Sequence, residues 1–142
     1  GLAACAYKPG SYASPAHEFA GQQVTVGCLD LAIERQPDHG SSAVLGYTFG
    51  NRCDRPATVD LAWVHVIGLT AEGAEIALTP YDPAGELRAL KIDGRLVGRE
   101  AIAYPAPAPL GQVCVDVASI AQHKPARWLC FGSHESIAMV TP

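Results

Sequence analysis

The chain lacks most of the features by which a sequence declares its chemistry. Its single methionine, Met139, excludes a methionine-cluster copper site. The ten Lys and Arg are scattered without forming a patch and the formal net charge is −4, so the electrostatic footprint of a nucleic-acid binder is missing. No apolar run approaches the roughly 20 residues of a membrane-crossing helix, and the longest, 61–69, is interrupted by His65. Cys-x-x-Cys is absent, and the five histidines (His17, His39, His65, His123 and His134) never recur at the HxH or HxxxH spacing of a local metal site. There is no phosphate-cradling GxGxxG and no GxSxG nucleophile elbow. Gly132-Ser133-His134-Glu135-Ser136 holds the residue types of a hydrolase triad. Neighbours in an extended chain point to opposite sides, however, so this stretch reads as a polar turn.

What is present is the balance of a folded domain: 142 residues, 49% hydrophobic and 17% charged, enough for one core and too few for two. From Val24 onward the apolar pattern has period two between turn signals, and no long amphipathic helix stands out. The pattern predicts strands over 23–33, 42–50, 57–67, 74–79, 87–92, 95–104, 112–118, 127–131 and 136–140. The expected fold is all-β, an antiparallel sandwich of about seven to nine strands over 22–142, preceded by an irregular tether over 1–21 rich in Pro, Gly, Ser and Ala.

Turn chemistry divides these strands. Asp93-Gly94 predicts a two-residue hairpin between 87–92 and 95–104, because such turns need positive φ. Gln36-Pro37-Asp38-His39-Gly40 and Glu72-Gly73 mark two further turns. Asp82 is placed to cap one helical turn with Pro83 at its first position. The stretch 57–67 is apolar on both faces and reads as a central strand, in which His65, sharing a face with Leu61, Trp63 and Ile67, is expected to be a hydrogen-bonded core or interface histidine.

Of the five cysteines, Cys5 stands apart near the start. The other four allow three pairings. A hairpin of 23–33 with 42–50 about His39 brings Cys28 towards Cys53, and one of 112–118 with 127–131 about Gln122 sets Cys114 opposite Cys130. The expected bonds are therefore Cys28–Cys53 and Cys114–Cys130. Cys28-Leu29-Asp30-Leu31-Ala32 and Cys114-Val115-Asp116-Val117-Ala118 repeat Cys-x-Asp-x-Ala, which predicts two hairpins built alike, with Cys, Asp and Ala on one face. The most distinctive loop is 81–88, where Tyr81, Asp82, Glu86 and Arg88 combine an aromatic, two carboxylates and a cation. It is the candidate binding loop, although Glu86 and Arg88 also read as a solvated ion pair.

Leu2-Ala3-Ala4-Cys5 resembles the lipobox of bacterial lipoproteins: Leu, a small residue, Gly or Ala, then Cys. The resemblance implies cleavage before Cys5, acylation of its thiol, and anchoring by more than one chain. The absence of Asp at position 6, which is Ala, implies the outer membrane over inner-membrane retention. The order of the predicted elements, with the corner Asn51-Arg52-Cys53-Asp54-Arg55-Pro56 leading into the next strand, resembles the small immunoglobulin-like domains of bacterial exported lipoproteins. Together these imply a non-catalytic envelope protein without cofactor or metal, anchored to the membrane through Cys5 and binding a protein or glycan. An inhibitor of an exported enzyme is a second expectation. A metal-dependent enzyme or metal carrier built from distant loops is a third.

Overall fold

A computed structural model describes residues 19–120 and 125–133. Ten strands form: β1 Gln22–Val26, β2 Leu29–His39, β3 Ser42–Asn51, β4 Ala57–Val59, β5 Val66–Leu69, β6 Glu75–Leu78, β7 Leu90–Ile92, β8 Val97–Tyr104, β9 Gln112–Asp116 and β10 Trp128–Gly132. They make two four-stranded antiparallel sheets, β1-β2-β3-β8 and β10-β9-β5-β6, and a two-stranded ribbon, β4-β7. The chain crosses between sheets after β3 and again after β8, the Greek-key path of an immunoglobulin-like sandwich. β2, β3 and β8 take positions A, B and E, and β6, β5, β9 and β10 take C′, C, F and G. β1 is an added edge strand.

Alternation explains the core. Leu31, Ile33 and Arg35 of β2 lie opposite Phe49, Tyr47 and Leu45 of β3, and all six are buried. Val113, Val115 and Val117 face them from the second sheet, each 0% exposed. The Tyr47 and Tyr104 hydroxyls meet at 2.7 Å inside this core. Burial pushes both phenols above their ordinary value; the neighbouring Tyr104 pushes Tyr47 further, while the bond from Tyr47 offsets part of the rise at Tyr104. Arg35, pointing inward at the rim, joins the layers: its Nη1 donates to the Phe131 carbonyl at 3.2 Å, and its Nη2 to that of Leu110 at 3.0 Å and to Asp38 at 3.1 Å.

Several expectations are corrected. The stretch 23–33 is two strands, because Gly27 takes φ +61° and the chain turns back on itself there. The stretch 57–67 is not one central strand. Asp60 accepts the Ala62 N–H at 3.1 Å and caps a 3-10 turn, Leu61–Trp63, that separates β4 from β5. Asp93-Gly94 does turn the chain, with the Leu96 N–H donating to the Asp93 carbonyl at 3.1 Å. It joins strands of different pairings instead of closing a hairpin: β7 pairs with β4, and β8 with β3. In place of a turn over 36–40, β2 carries an irregularity between Gln36 and His39, and Gly40-Ser41 makes the reversal. The stretch 112–118 ends as a strand at Asp116, followed by a 3-10 turn, Val117–Ile120. Phe19, assigned to the tether, is buried against Ala32 beside Val97. The strand expected over 136–140 lies outside the described residues.

The corner from Asn51 to Pro56 forms as expected. β3 ends at Asn51 and β4 begins at Ala57. Both disulfides form: Cys28–Cys53 at a Cα separation of 5.7 Å and Cys114–Cys130 at 4.0 Å, the latter directly opposed in register. Two such bonds belong to a chain that matures in an oxidising, extracytoplasmic environment. Among the described residues, no helix is long and apolar enough to cross a membrane. Replacing Cys114 and Cys130 together by Ala is expected to lower stability by about 3 kcal/mol through the loop they close. Urea unfolding measures this, and an unchanged midpoint would show the bond to be energetically idle.

Candidate functional site

Two single 3-10 turns built by the same rule stand side by side at the surface. In the first, Asp60 caps Leu61–Trp63, Leu61 is 0% exposed, and Trp63 is left 65% exposed. In the second, Glu86–Ala89, the Asp82 carboxylate accepts the N–H groups of Glu86 at 3.0 Å and Leu87 at 3.2 Å. Gly85 precedes it at φ +70°, and Leu87 is buried. Each buried leucine anchors its turn and each aspartate fixes it, a cap contributing about 1 kcal/mol. The side chains they present meet: the Arg88 guanidinium carbon lies over the Trp63 ring, 5.8 Å from its centroid. Such a contact contributes roughly 0.5–1 kcal/mol at an exposed site.

The four residues expected to form a binding loop therefore divide by role. Asp82 is consumed by the backbone. Glu86 and Arg88 make no ion pair with each other, against the expectation of a solvated pair; in a 3-10 turn, residues two apart point about 120° apart. Arg88 instead rests on Trp63. Tyr81 is 66% exposed, and its N–H donates to the Ala103 carbonyl at 2.8 Å, which ties the start of the loop to β8. Asp82 caps the turn later than expected, since Pro83 and Ala84 form a bend and the 3-10 hydrogen bonding begins at Glu86.

Trp63 escaped the sequence reading because its neighbours alternate like a strand. The signal was Asp60, an aspartate directly before an apolar run, which is the same signal that identified Asp82. His65 was also misplaced. Its side chain is 73% exposed, with Nδ1 3.9 Å from Asp116, because the 3-10 turn shifts the alternation. The repeated Cys-x-Asp-x-Ala is structural at both places. Asp30 accepts from Thr25 at 2.8 Å and pairs with Arg52 at 3.3 Å. Asp116 accepts the N–H groups of Ala118 at 3.1 Å and Arg127 at 2.9 Å, holding the segment that leads into β10.

Trp128, 44% exposed, stands opposite Asp116 on the outer face of the second sheet. A cleft of about 290 Å³ opens elsewhere, lined by Phe19, Gln23, Val24, Asp30 and Arg127 among others. Its one carboxylate, Asp30, is already committed to Thr25 and Arg52. Among the described residues no three His, Cys, Asp or Glu side chains gather into a metal-binding group. Cys5, His17, His123 and His134 lie outside the described residues.

No protein family and no curated protein matches this chain. Among solved structures it is similar to the yjhA protein from Bacillus subtilis, at 7% identity over 76% of this chain and 94% of that one, with a TM-score of 0.47.

Proposed function

We propose that this protein is a non-catalytic binding module of the bacterial cell envelope, lipid-anchored through Cys5, and that it engages a protein partner through the face formed by Trp63, Arg88 and Tyr81. The observation that carries this reading is the exposure of Trp63 on a turn whose cap and buried leucine hold it rigidly in water. Trp, Tyr and Arg are the residue types that dominate interface energetics, and a rigid aromatic loses little conformational entropy on binding. The envelope assignment draws support from the two disulfides and from the lipobox resemblance of Leu2-Ala3-Ala4-Cys5.

The test is crosslinking of the acylated protein in its native envelope, followed by mass spectrometry, with wild type and Trp63→Ala side by side. Trp63→Ala is expected to abolish recovery of the partner while changing stability by no more than about 0.5 kcal/mol, because the side chain is mostly in water already. Equal recovery with both proteins would refute the assignment of this face. A partner that proves to be an exported hydrolase, slowed on binding, would make the module an inhibitor. A glycan in place of a protein would correct the partner class.

A further inference from the structure

We infer that the Trp63–Arg88 pair is a receptor for a carboxylate, the side chain of an Asp or Glu in an extended segment of a partner protein, with an apolar neighbour of that residue lying on Trp63. This rests on the reading of the same face as a binding surface and names what the face takes. Other arginines of the described chain already have acidic partners: Arg35 meets Asp38 at 3.1 Å, Arg52 meets Asp30 at 3.3 Å, and Arg95 lies 3.7 Å from Asp54. Arg88 differs. Among the described residues its guanidinium makes neither a hydrogen bond nor an ion pair; its one contact is the Trp63 ring.

That contact covers one side of the guanidinium and leaves its N–H donors unused. Five donors in a planar fork match a carboxylate bidentately, a geometry that a lysine cannot reproduce. The fork is also held in place. Leu87, next in the chain, is buried, and the Asp82 carboxylate fixes the turn from which Arg88 projects. The nearby carboxylates do not compete for it. Asp60 and Asp82 are engaged by backbone N–H groups, and Glu86 projects to another side of the turn. An anionic lipid surface suits the site poorly, since lipid recognition uses clusters of about four to eight basic residues, whereas this chain carries a net charge of −4.

The probes are blocked hexapeptides bearing one Glu between Leu and Trp, and the same peptide with Gln in place of Glu. They are titrated into the isotope-labelled protein while the Arg88 Nε–H and Trp63 indole N–H resonances are followed. The Glu peptide is expected to shift both resonances, and the Gln peptide to need at least about 10-fold more, the ratio that a charge-assisted pair supplies. Arg88→Gln should erase the difference between the peptides, Arg88→Lys should weaken binding of the Glu peptide several-fold, and added salt should do the same. Equal binding of the two peptides, no shift at millimolar concentrations, or tighter binding of a uronic-acid oligosaccharide or of inorganic phosphate overturns the inference. If Trp63→Ala still abolishes capture of the envelope partner while the Glu peptide fails to compete for it, the carboxylate assignment falls and the binding face stands. If capture is indifferent to Trp63, both fall.

Discussion

Between about pH 10 and about pH 12 the protein is expected to lose roughly 5 kcal/mol of stability and to unfold cooperatively. The cause is the Tyr47–Tyr104 pair. Both hydroxyls are buried and both phenols are pushed above their ordinary value, first of all by burial. Below about pH 10 the folded and unfolded chains both hold these protons, so the pair adds no pH dependence. Above it the unfolded chain ionises while the folded one stays neutral. The unfolded state then binds fewer protons, and stability falls as pH rises, by about 1.4 kcal/mol per pH unit for each tyrosine. Absorbance at 295 nm, taken as the difference between wild type and a Tyr47→Phe/Tyr104→Phe variant, should rise together with the loss of β circular dichroism. A difference that titrates reversibly near the ordinary tyrosine value, with circular dichroism unchanged, would show the pair to be accessible.

Asn51→Ala is the second large effect, a loss of about 4 kcal/mol, or some 15 °C in Tm for a chain of this size. Asn51 is 0% exposed and holds three backbone groups at once. Its Nδ2 donates to the carbonyls of Arg55 at 2.8 Å and Ile92 at 2.9 Å, and its Oδ1 accepts the Cys53 N–H at 2.9 Å. Truncation leaves these groups without partners, each costing about 1–3 kcal/mol where water cannot replace the bond. Asn51→Asp should be at least as harmful at neutral pH, because it keeps the acceptor but turns a carboxylate on two carbonyl oxygens. Urea unfolding with both disulfides intact measures the loss, and a change under about 1 kcal/mol would mean that the corner re-forms around solvent.

How far the sequence foretold this fold depends on which interactions it encodes locally. The Cys114–Cys130 bond follows from counting residues along two strands, and register makes them direct partners. The Asn51 corner was legible because a buried asparagine before a Pro-bearing turn is local chemistry. The split of 23–33 was also written there, as a slip in the alternation. Val24 and Val26 are buried in one phase and Leu29, Leu31 and Ile33 in the other, with Gly27 between. Asp93-Gly94 misled because local turn chemistry does not determine which sheet the next strand joins. That choice is made by contacts far along the chain: a Cβ on Gly94 would run into the Asp54 carbonyl, so the turn is packed against the Asn51 corner. Of the candidate site, Arg88 and Tyr81 could be singled out as unusual residues in a loop, but the meeting of Arg88 with Trp63 depends on two separate turns packing together. No spacing in the sequence carries that.

The placement of the two disulfides gives the molecule a mechanical character. In an antibody domain the bond runs between the layers; here Cys28–Cys53 and Cys114–Cys130 each lie within one sheet. A load entering from the N-terminal side meets β1 first, whose five residues can unzip from β2 one pair at a time. It then reaches Cys28, where the covalent link carries the tension across to Cys53 and past the whole β2–β3 hairpin. The edge strand therefore gives way as a short extensible leader, and the disulfide behind it acts as a stop that shields the hairpin from being drawn out of the sheet.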